Sequence, residues 1–311
     1  MINSGFMINT QRNAVLKALF AVTVWGASFV ATKVALEYAA PVTIVWLRFA
    51  MGVVILGLAV KFRGQFSLPQ GRDWAYFALL GFLGITFHQW LQSTGLVTAQ
   101  ATTTGWIVAS TPIFMALLGL IILREGLRWE QVAGIVLATI GVILVITKGN
   151  LSALGNGGFG TRGDILVLLS APNWAVFSTL SRSGLQRHPA SNMMFYIMAF
   201  GWLFTSILFF TGPGLEPVAQ IPLNGWLAIT FLGVLCSGIA YIFWYDALQT
   251  LSVAQTGAFL YIEPIITVIV AAVILDEALL FATLLGGMII LIGVWMVNRR
   301  KTTPLLDEAE A

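Results

Sequence analysis

The chain has 311 residues, of which 58% are hydrophobic and only 9% charged, with a net charge of +3, and its mean hydropathy is +0.90. A soluble globular chain carries about 25% charged residues, so this composition excludes a water-soluble domain and leaves the bilayer as solvent for most of the surface. It also excludes nucleic-acid binding, because no basic face is large enough, and a disulfide or thiolate metal site, because Cys236 is the only cysteine.

In lipid every backbone polar group must find its partner within the protein, which leaves helices and closed barrels as spanning structures. The apolar stretches run near twenty residues without alternation and so predict helices. In chain order the spans are expected near 13–33, 41–62, 74–94, 101–123, 129–148, 162–182, 191–211, 224–246, 253–275 and 280–298. The first run is too long for the apolar core of a signal peptide and has no A-x-A-like cleavage site, so it reads as helix 1. The expected organisation is an N-terminal segment 1–12, a first repeat 13–148, a linker 149–161, a second repeat 162–298 and a tail 299–311.

Lys and Arg set the orientation. With the N-terminus inside, the inside segments hold twelve of them: Arg12, Lys17, Lys61, Arg63, Arg72, Arg124, Arg128, Arg182, Arg187, Arg299, Arg300 and Lys301. The outside segments hold three, Lys33, Lys148 and Arg162, while Arg48 lies within helix 2. Both termini are therefore expected in the cytoplasm, with the chain crossing the inner (plasma) membrane.

The two halves repeat each other. At an offset of 149, 25-WGASFVATK-33 aligns with 174-WAVFSTLSR-182, and 82-FLG-84 with 231-FLG-233. After a three-residue insertion, expected around the end of helix 8, an offset of 152 pairs Gly105 with Gly257, Pro112 with Pro264, Glu125 with Glu277, Gly134 with Gly286 and Gly141 with Gly293. Each repeat has five spans, so the second must enter from the opposite side. The expected fold is an all-α polytopic membrane protein with ten transmembrane helices as two inverted five-helix repeats, an arrangement common among secondary transporters.

The motif W-G-x-S-F-V-x-x-K with the downstream Leu47-Arg48-Phe49 resembles the drug/metabolite transporter superfamily. So does T-P-(x)11-R-E-(x)8-G-(x)6-G, carried by Thr111, Pro112, Arg124, Glu125, Gly134 and Gly141. It recurs as E-P-(x)11-D-E-(x)8-G-(x)6-G at Glu263, Pro264, Asp276, Glu277, Gly286 and Gly293. The likeness is to the ten-helix branch with two EamA-type domains and covers residues 14–298. The aromatic content and His88 are similar to those of amino-acid exporters of that branch, which implies export of amino acids, aromatic or broad-range, or of similar small amphipathic metabolites. Efflux of cationic hydrophobic drugs coupled to protons is the alternative within transport.

A bundle turns its polar residues away from lipid. Gly81, Gly84, His88, Gln92 and Gly95 form one stripe of helix 3, with Thr230, Gly233, Ser237, Tyr241 and Trp244 as the expected counterpart in helix 8. Substrate contacts are expected from His88, Gln92, Asn173, Tyr241 and Trp244, with Trp25, Trp106 and Trp174 as aromatic walls. Replacing His88, Trp106 or Trp174 by Ala is expected to lower transport with folding intact. Glu263, near mid-membrane and just before Pro264, reads as a coupling carboxylate, a partner of Arg48 or a cap of a broken helix. Thr111-Pro112 occupies the matching place in helix 4, so helix breaks are expected at Pro112 and Pro264. Gly134, Gly141, Gly286 and Gly293 read as close packing of helices 5 and 10. Asp276, Glu277, Arg124 and Glu125 read as capping or loop-closing charges. No catalytic residue, metal or cofactor is expected: His88 and His188 are the only histidines, and neither an H-E-x-x-H pattern nor a phosphate-binding G-x-x-x-x-G-K-[ST] loop is present. The partners expected are a small-molecule substrate and the lipid bilayer, for a monomer. The distant alternatives are a channel, which would show a continuous polar pore, and an intramembrane enzyme, for which composition leaves a Ser-His pair open but no nucleophile motif stands out.

Overall fold

The computed structural model describes residues 4–122, 128–150, 152, 159–251 and 253–298. These form ten helical passes, and no strand occurs among the described residues. Nine of the passes are long and apolar enough to cross a membrane: helices 1 (Ser4–Leu36), 2 (Pro41–Phe62), 4 (Ala101–Val108 with Thr111–Ile122), 5 (Trp129–Thr147), 6 (Arg162–Leu185), 7 (Ala190–Thr211), 8 (Leu223–Thr250), 9 (Val253–Ile274) and 10 (Phe281–Asn298). Helix 3 runs without interruption over Asp73–Gly81, Phe82–Phe87 and His88–Gly95. It is less apolar because His88, Gln89, Gln92, Ser93 and Thr94 fall in its second half. Helix 1 begins nine residues earlier than the expected position 13, since no proline interrupts Ser4–Leu36.

The pairing of helices carries the symmetry. Helix 5 packs along helix 10, helix 2 along helix 7 and helix 4 along helix 9. Helix 1 packs on helices 8 and 9, and helix 6 makes the equivalent contacts with helices 3 and 4. The crossing of helices 5 and 10 exposes the inversion directly. A Cβ on Gly134 would meet the Gly293 carbonyl, and one on Gly141 would meet the Gly286 carbonyl, each at 2.6 Å. The lower-numbered glycine of one helix thus faces the higher-numbered glycine of the other, so the two helices run antiparallel. Backbones this close leave no room for a side chain, which is how small residues bind membrane helices together.

The proline positions break both symmetric helices. In helix 4 the ladder stops at Val108 and restarts at Thr111, with Pro112 in the first turn. Helix 9 passes through a 3-10 turn, Leu260–Ile262, and restarts at Glu263, with Pro264 in its first turn. Proline lacks the N–H that an uninterrupted helix would need there, so Pro112 and Pro264 sit in the first turn after each restart, where that donor is idle, whereas Pro172 is carried inside the continuous helix 6. Helices 3 and 8 share another device, a π-helical segment at Phe82–Phe87 and at Phe231–Ile239.

The packing corrects the position of the insertion. A Cβ on Gly81 would strike the Cβ of Phe200, and one on Gly233 would strike the Cβ of Met51, while Met51 and Phe200 are themselves repeat mates. Likewise Gly52 abuts Ser237 where its mate Gly201 abuts Ile85. Gly81 therefore corresponds to Gly233 and Ile85 to Ser237, and the offset is already 152 there. The three extra residues lie between Thr211 and Gly233, not around the end of helix 8. The matching FLG triplets were a chance likeness of apolar sequence.

Among the charges expected to cap helices, Glu277 does so: its two carboxylate oxygens accept from the backbone N–H groups of Ala101 at 2.8 Å and Thr102 at 2.9 Å, at the start of helix 4. Arg124 and Glu125 lie outside the described residues, as do Arg299, Arg300 and Lys301.

Candidate functional site

A cavity of about 870 Å³ lies between the repeats, within the range of about 300–1,000 Å³ usual for small-molecule sites. Both broken helices and both π-bearing helices line it. With the corrected register its two principal walls face each other as repeat mates. Helix 3 contributes His88, Gln89, Gln92 and Ser93, and helix 8 contributes Tyr241, Trp244 and Tyr245 at the positions matching the last three. Helix 3 thus supplies an imidazole, two amides and a hydroxyl, where helix 8 supplies three aromatic rings.

Helices 1 and 6 close the sides with Trp25 and Trp174. Trp25 packs its ring 5.3 Å from those of both Tyr241 and Trp244, extending the aromatic wall. Trp174 lies 4.7 Å from the His88 ring and 4.8 Å from that of Phe177. The π-helical segments serve this arrangement. A wider turn shifts the i→i−4 ladder and frees carbonyls for side chains, and the first helix of each repeat reaches across to one of them. Trp25 Nε1 donates to the Cys236 carbonyl at 3.1 Å, and Asn173 Nδ2 donates to the Leu83 carbonyl at 2.8 Å.

Arg48 and Glu263 both line the cavity, and they do not pair with each other. The Arg48 Nε donates to Ser237 Oγ at 3.1 Å and its Nη1 to Gln89 Oε1 at 3.2 Å. Among the described residues the ion pairs join Lys17 and Arg63 to Asp246, and Arg187 and His188 to Asp73, and none involves Arg48 or Glu263. Glu263 begins the second segment of helix 9, and its carbonyl receives Thr267 Oγ1 at 3.0 Å. His88 is buried, and its Nδ1 has no hydrogen-bond partner among the described residues.

The structure therefore gathers ten of the sequence candidates around one space: His88, Gln92, Trp25, Trp174, Tyr241, Trp244, Arg48, Glu263, Pro112 and Pro264. It places two elsewhere. Trp106 is buried with its ring against Gly287 of helix 10, in the core that joins helices 4, 5 and 10, because a glycine there leaves space for an indole. Asn173 turns toward the helix 3 backbone to satisfy the Leu83 carbonyl. Gln89, Ser93 and Tyr245 were missed; the corrected register finds Gln89 as the mate of Tyr241, whereas Ser93 and Tyr245, mates of each other, emerge only from the cavity lining.

The cavity reaches the end of the molecule at which helix 1 begins and helix 10 stops, where Gln131, Arg182 and Asn298 line it. The far end is shut. There Lys33 Nζ donates to the carbonyls of Leu96, the C-cap of helix 3, and of Ala99 in the turn that follows, and the Gly163 N–H donates to Thr98 Oγ1 at 2.9 Å.

Among the described residues no group of three or more His, Cys, Asp or Glu could hold a metal ion. The sequence profile of the EamA-like transporter family matches residues 12–147 and 161–299. An uncharacterized transporter of Archaeoglobus fulgidus is 27% identical over 89% of this chain and 94% of its own length. A protein of Streptantibioticus cattleyicolor described as a probable terminal-alkyne amino-acid exporter is 29% identical over 92% of this chain and 94% of its own. One solved crystal structure superposes with a TM-score of 0.63 over 91% of this chain and 97% of its own at 22% identity, which shows a shared fold and no more. The chain is a multi-pass membrane protein and belongs to the EamA-like transporter family.

Proposed function

We propose that this protein is a secondary exporter of amino acids, or of metabolites with the same small zwitterionic and partly apolar build, working by alternating access. The observation that carries the reading is that Arg48 and Glu263 face one cavity without neutralising each other. Charges at membrane depth are costly and are kept paired or used. A zwitterion meets both needs, with its carboxylate toward Arg48 and Gln89 and its ammonium toward Glu263. The aromatic wall of Trp25, Tyr241 and Trp244 then receives an apolar side chain, and Gln92 and His88 offer further polar contacts. The relative described as a probable amino-acid exporter supports the same substrate class.

The lysine and arginine distribution supports cytoplasmic termini, and in that orientation the cavity opens to the cytoplasm of a cell whose inner membrane holds the chain as a monomer. Helix breaks at Pro112 and Pro264 at the level of the cavity fit a carrier whose two repeats rock about a central site. Proton-coupled efflux of cationic hydrophobic compounds is the second reading, favoured by a cavity-facing Glu263 with no cationic partner. Arg48 in the same space weighs against it.

The test is uptake into proteoliposomes of a labelled amino-acid panel beside cationic dyes, with and without a pH gradient. Amino acids entering above protein-free liposomes while dyes do not is the expected result. Dye movement alone, driven by the gradient, would replace the amino-acid reading with the second one. Glu263→Gln sharpens the outcome: it lowers flux of zwitterions and leaves any anionic analogue unaffected.

A further inference from the structure

The closed end of the molecule is built from residues whose repeat mates stand at the open end. Lys33 ends the helix 1 motif and its mate in helix 6 is Arg182. At the closed end Lys33 holds the carbonyls of Leu96 and Ala99. In the corrected register 96-LVTA-99 corresponds to 248-LQTL-251, so the matching acceptors are the carbonyls of Leu248 and Leu251 at the end of helix 8. Leu96 is the C-cap of helix 3, Leu248 lies in the last turn of helix 8 and Leu251 is its C-cap, while Ala99 lies in the turn beyond helix 3. Carbonyls at a helix C-terminus lack an intrahelical donor and lie at the negative end of the dipole, so they accept readily from a cation. Arg182 itself is exposed, lines the cavity mouth, and makes no hydrogen bond or ion pair among the described residues. One cation of the pair is engaged and the other is idle, and the cavity is shut at the engaged end and open at the idle one.

We infer that Lys33 and Arg182 are reciprocal gate residues: when the cavity opens to the far face, Lys33 releases Leu96 and Ala99 and Arg182 closes on the carbonyls of Leu248 and Leu251. This rests on the alternating-access reading above. The antiparallel two-fold that relates the repeats, seen at Gly134–Gly293 and Gly141–Gly286, requires that whatever geometry one half adopts be available to the other. Glycine at 95 and 163 fits the same scheme. These residues cross backbone to backbone at the shut end, a Cβ on Gly95 meeting the Gly163 carbonyl at 2.9 Å. Their mates Ala247 and Ala14 keep a small-residue crossing at the other end, where both are buried in one cluster.

The experiment reads accessibility and needs no substrate. Thr32→Cys reports the inner end of the cavity and Ser178→Cys its present mouth; the buried Cys236 is left in place. A membrane-impermeant maleimide is applied to either face of sealed vesicles holding the full chain with a C-terminal tag that marks sidedness. Lys33→Ala is expected to raise labelling of Thr32→Cys from the far face at least about tenfold, since the shut state loses both charged hydrogen bonds to Leu96 and Ala99. Arg182→Ala is expected to lower the same rate, and Lys33→Arg to leave it at the parent value. Far-face labelling that both alanine substitutions move in one direction, or that neither moves, would overturn the reciprocal gate and leave alternating access standing. A Thr32→Cys that never reacts from the far face in any variant, while Ser178→Cys reacts from the other, would overturn both.

Discussion

Helix 3 and helix 8 descend from the same element, keep the same π-helical device and line the same cavity, yet their walls are chemically opposite. Helix 3 presents His88, Gln89, Gln92 and Ser93; helix 8 presents Ala240, Tyr241, Trp244 and Tyr245 in the matching places. The backbone symmetry serves the motion, because two equivalent halves can exchange conformations. The side chains need not obey it, and a ligand with unlike ends is held in one orientation only if they do not. The repeat is therefore kept where helices cross and at the cavity positions Trp25/Trp174 and Pro112/Pro264, and abandoned along the facing walls of helices 3 and 8.

The comparison breaks most severely if helix 8 is given the chemistry of helix 3. Tyr241→Gln combined with Trp244→Gln is expected to lower flux about a hundredfold in folded protein, because each aromatic contact is worth about 0.5–1.5 kcal/mol beyond its buried area. Parent-like flux in proteoliposomes would mean that the aromatic wall does not touch the substrate. A smaller effect is expected on the polar side. Gln92→Leu, which keeps volume and removes the amide, should cost about tenfold in apparent affinity with the maximal rate less changed, as loss of one buried hydrogen bond predicts. A rise in affinity for apolar substrates in the same variant would sharpen the assignment of the two walls. The smallest effect on transport is expected at Trp106, which lies outside both walls. Trp106→Ala should leave the affinity of the folded fraction unchanged and lower thermal stability, by about 3–5 kcal/mol for a buried indole. A changed affinity there would return Trp106 to the site from which the packing removes it.

Much of the architecture was legible in advance because it depends on local chemistry. Hydropathy located the passes, since the bilayer imposes a length and a composition on each one separately. Helix 3 alone among the described passes is not apolar enough by composition to read as a span, and four of its polar residues, His88, Gln89, Gln92 and Ser93, line the cavity. The breaks at Pro112 and Pro264 followed from the missing proline N–H, and the contact of helices 5 and 10 from glycines seven residues apart. The register of helix 8 was misread because three apolar letters matched at the wrong offset, and apolar letters carry little positional information in a membrane helix. Only the contacts of Gly81 with Phe200 and of Gly233 with Met51 resolve it.

By itself, then, the sequence determined the number and duplication of the helices, their expected direction and the residues that had to be hidden from lipid. It could not say where hidden residues go, because a buried tryptophan against Gly287 and one beside a cavity satisfy the bilayer equally well. The tertiary structure decided that, moving Trp106 and Asn173 out and bringing Gln89, Ser93 and Tyr245 in. It also decided which end is shut. Lys33 and Arg182 are equivalent in the sequence, and only the packed conformation sets one on helix-end carbonyls and leaves the other at an open mouth.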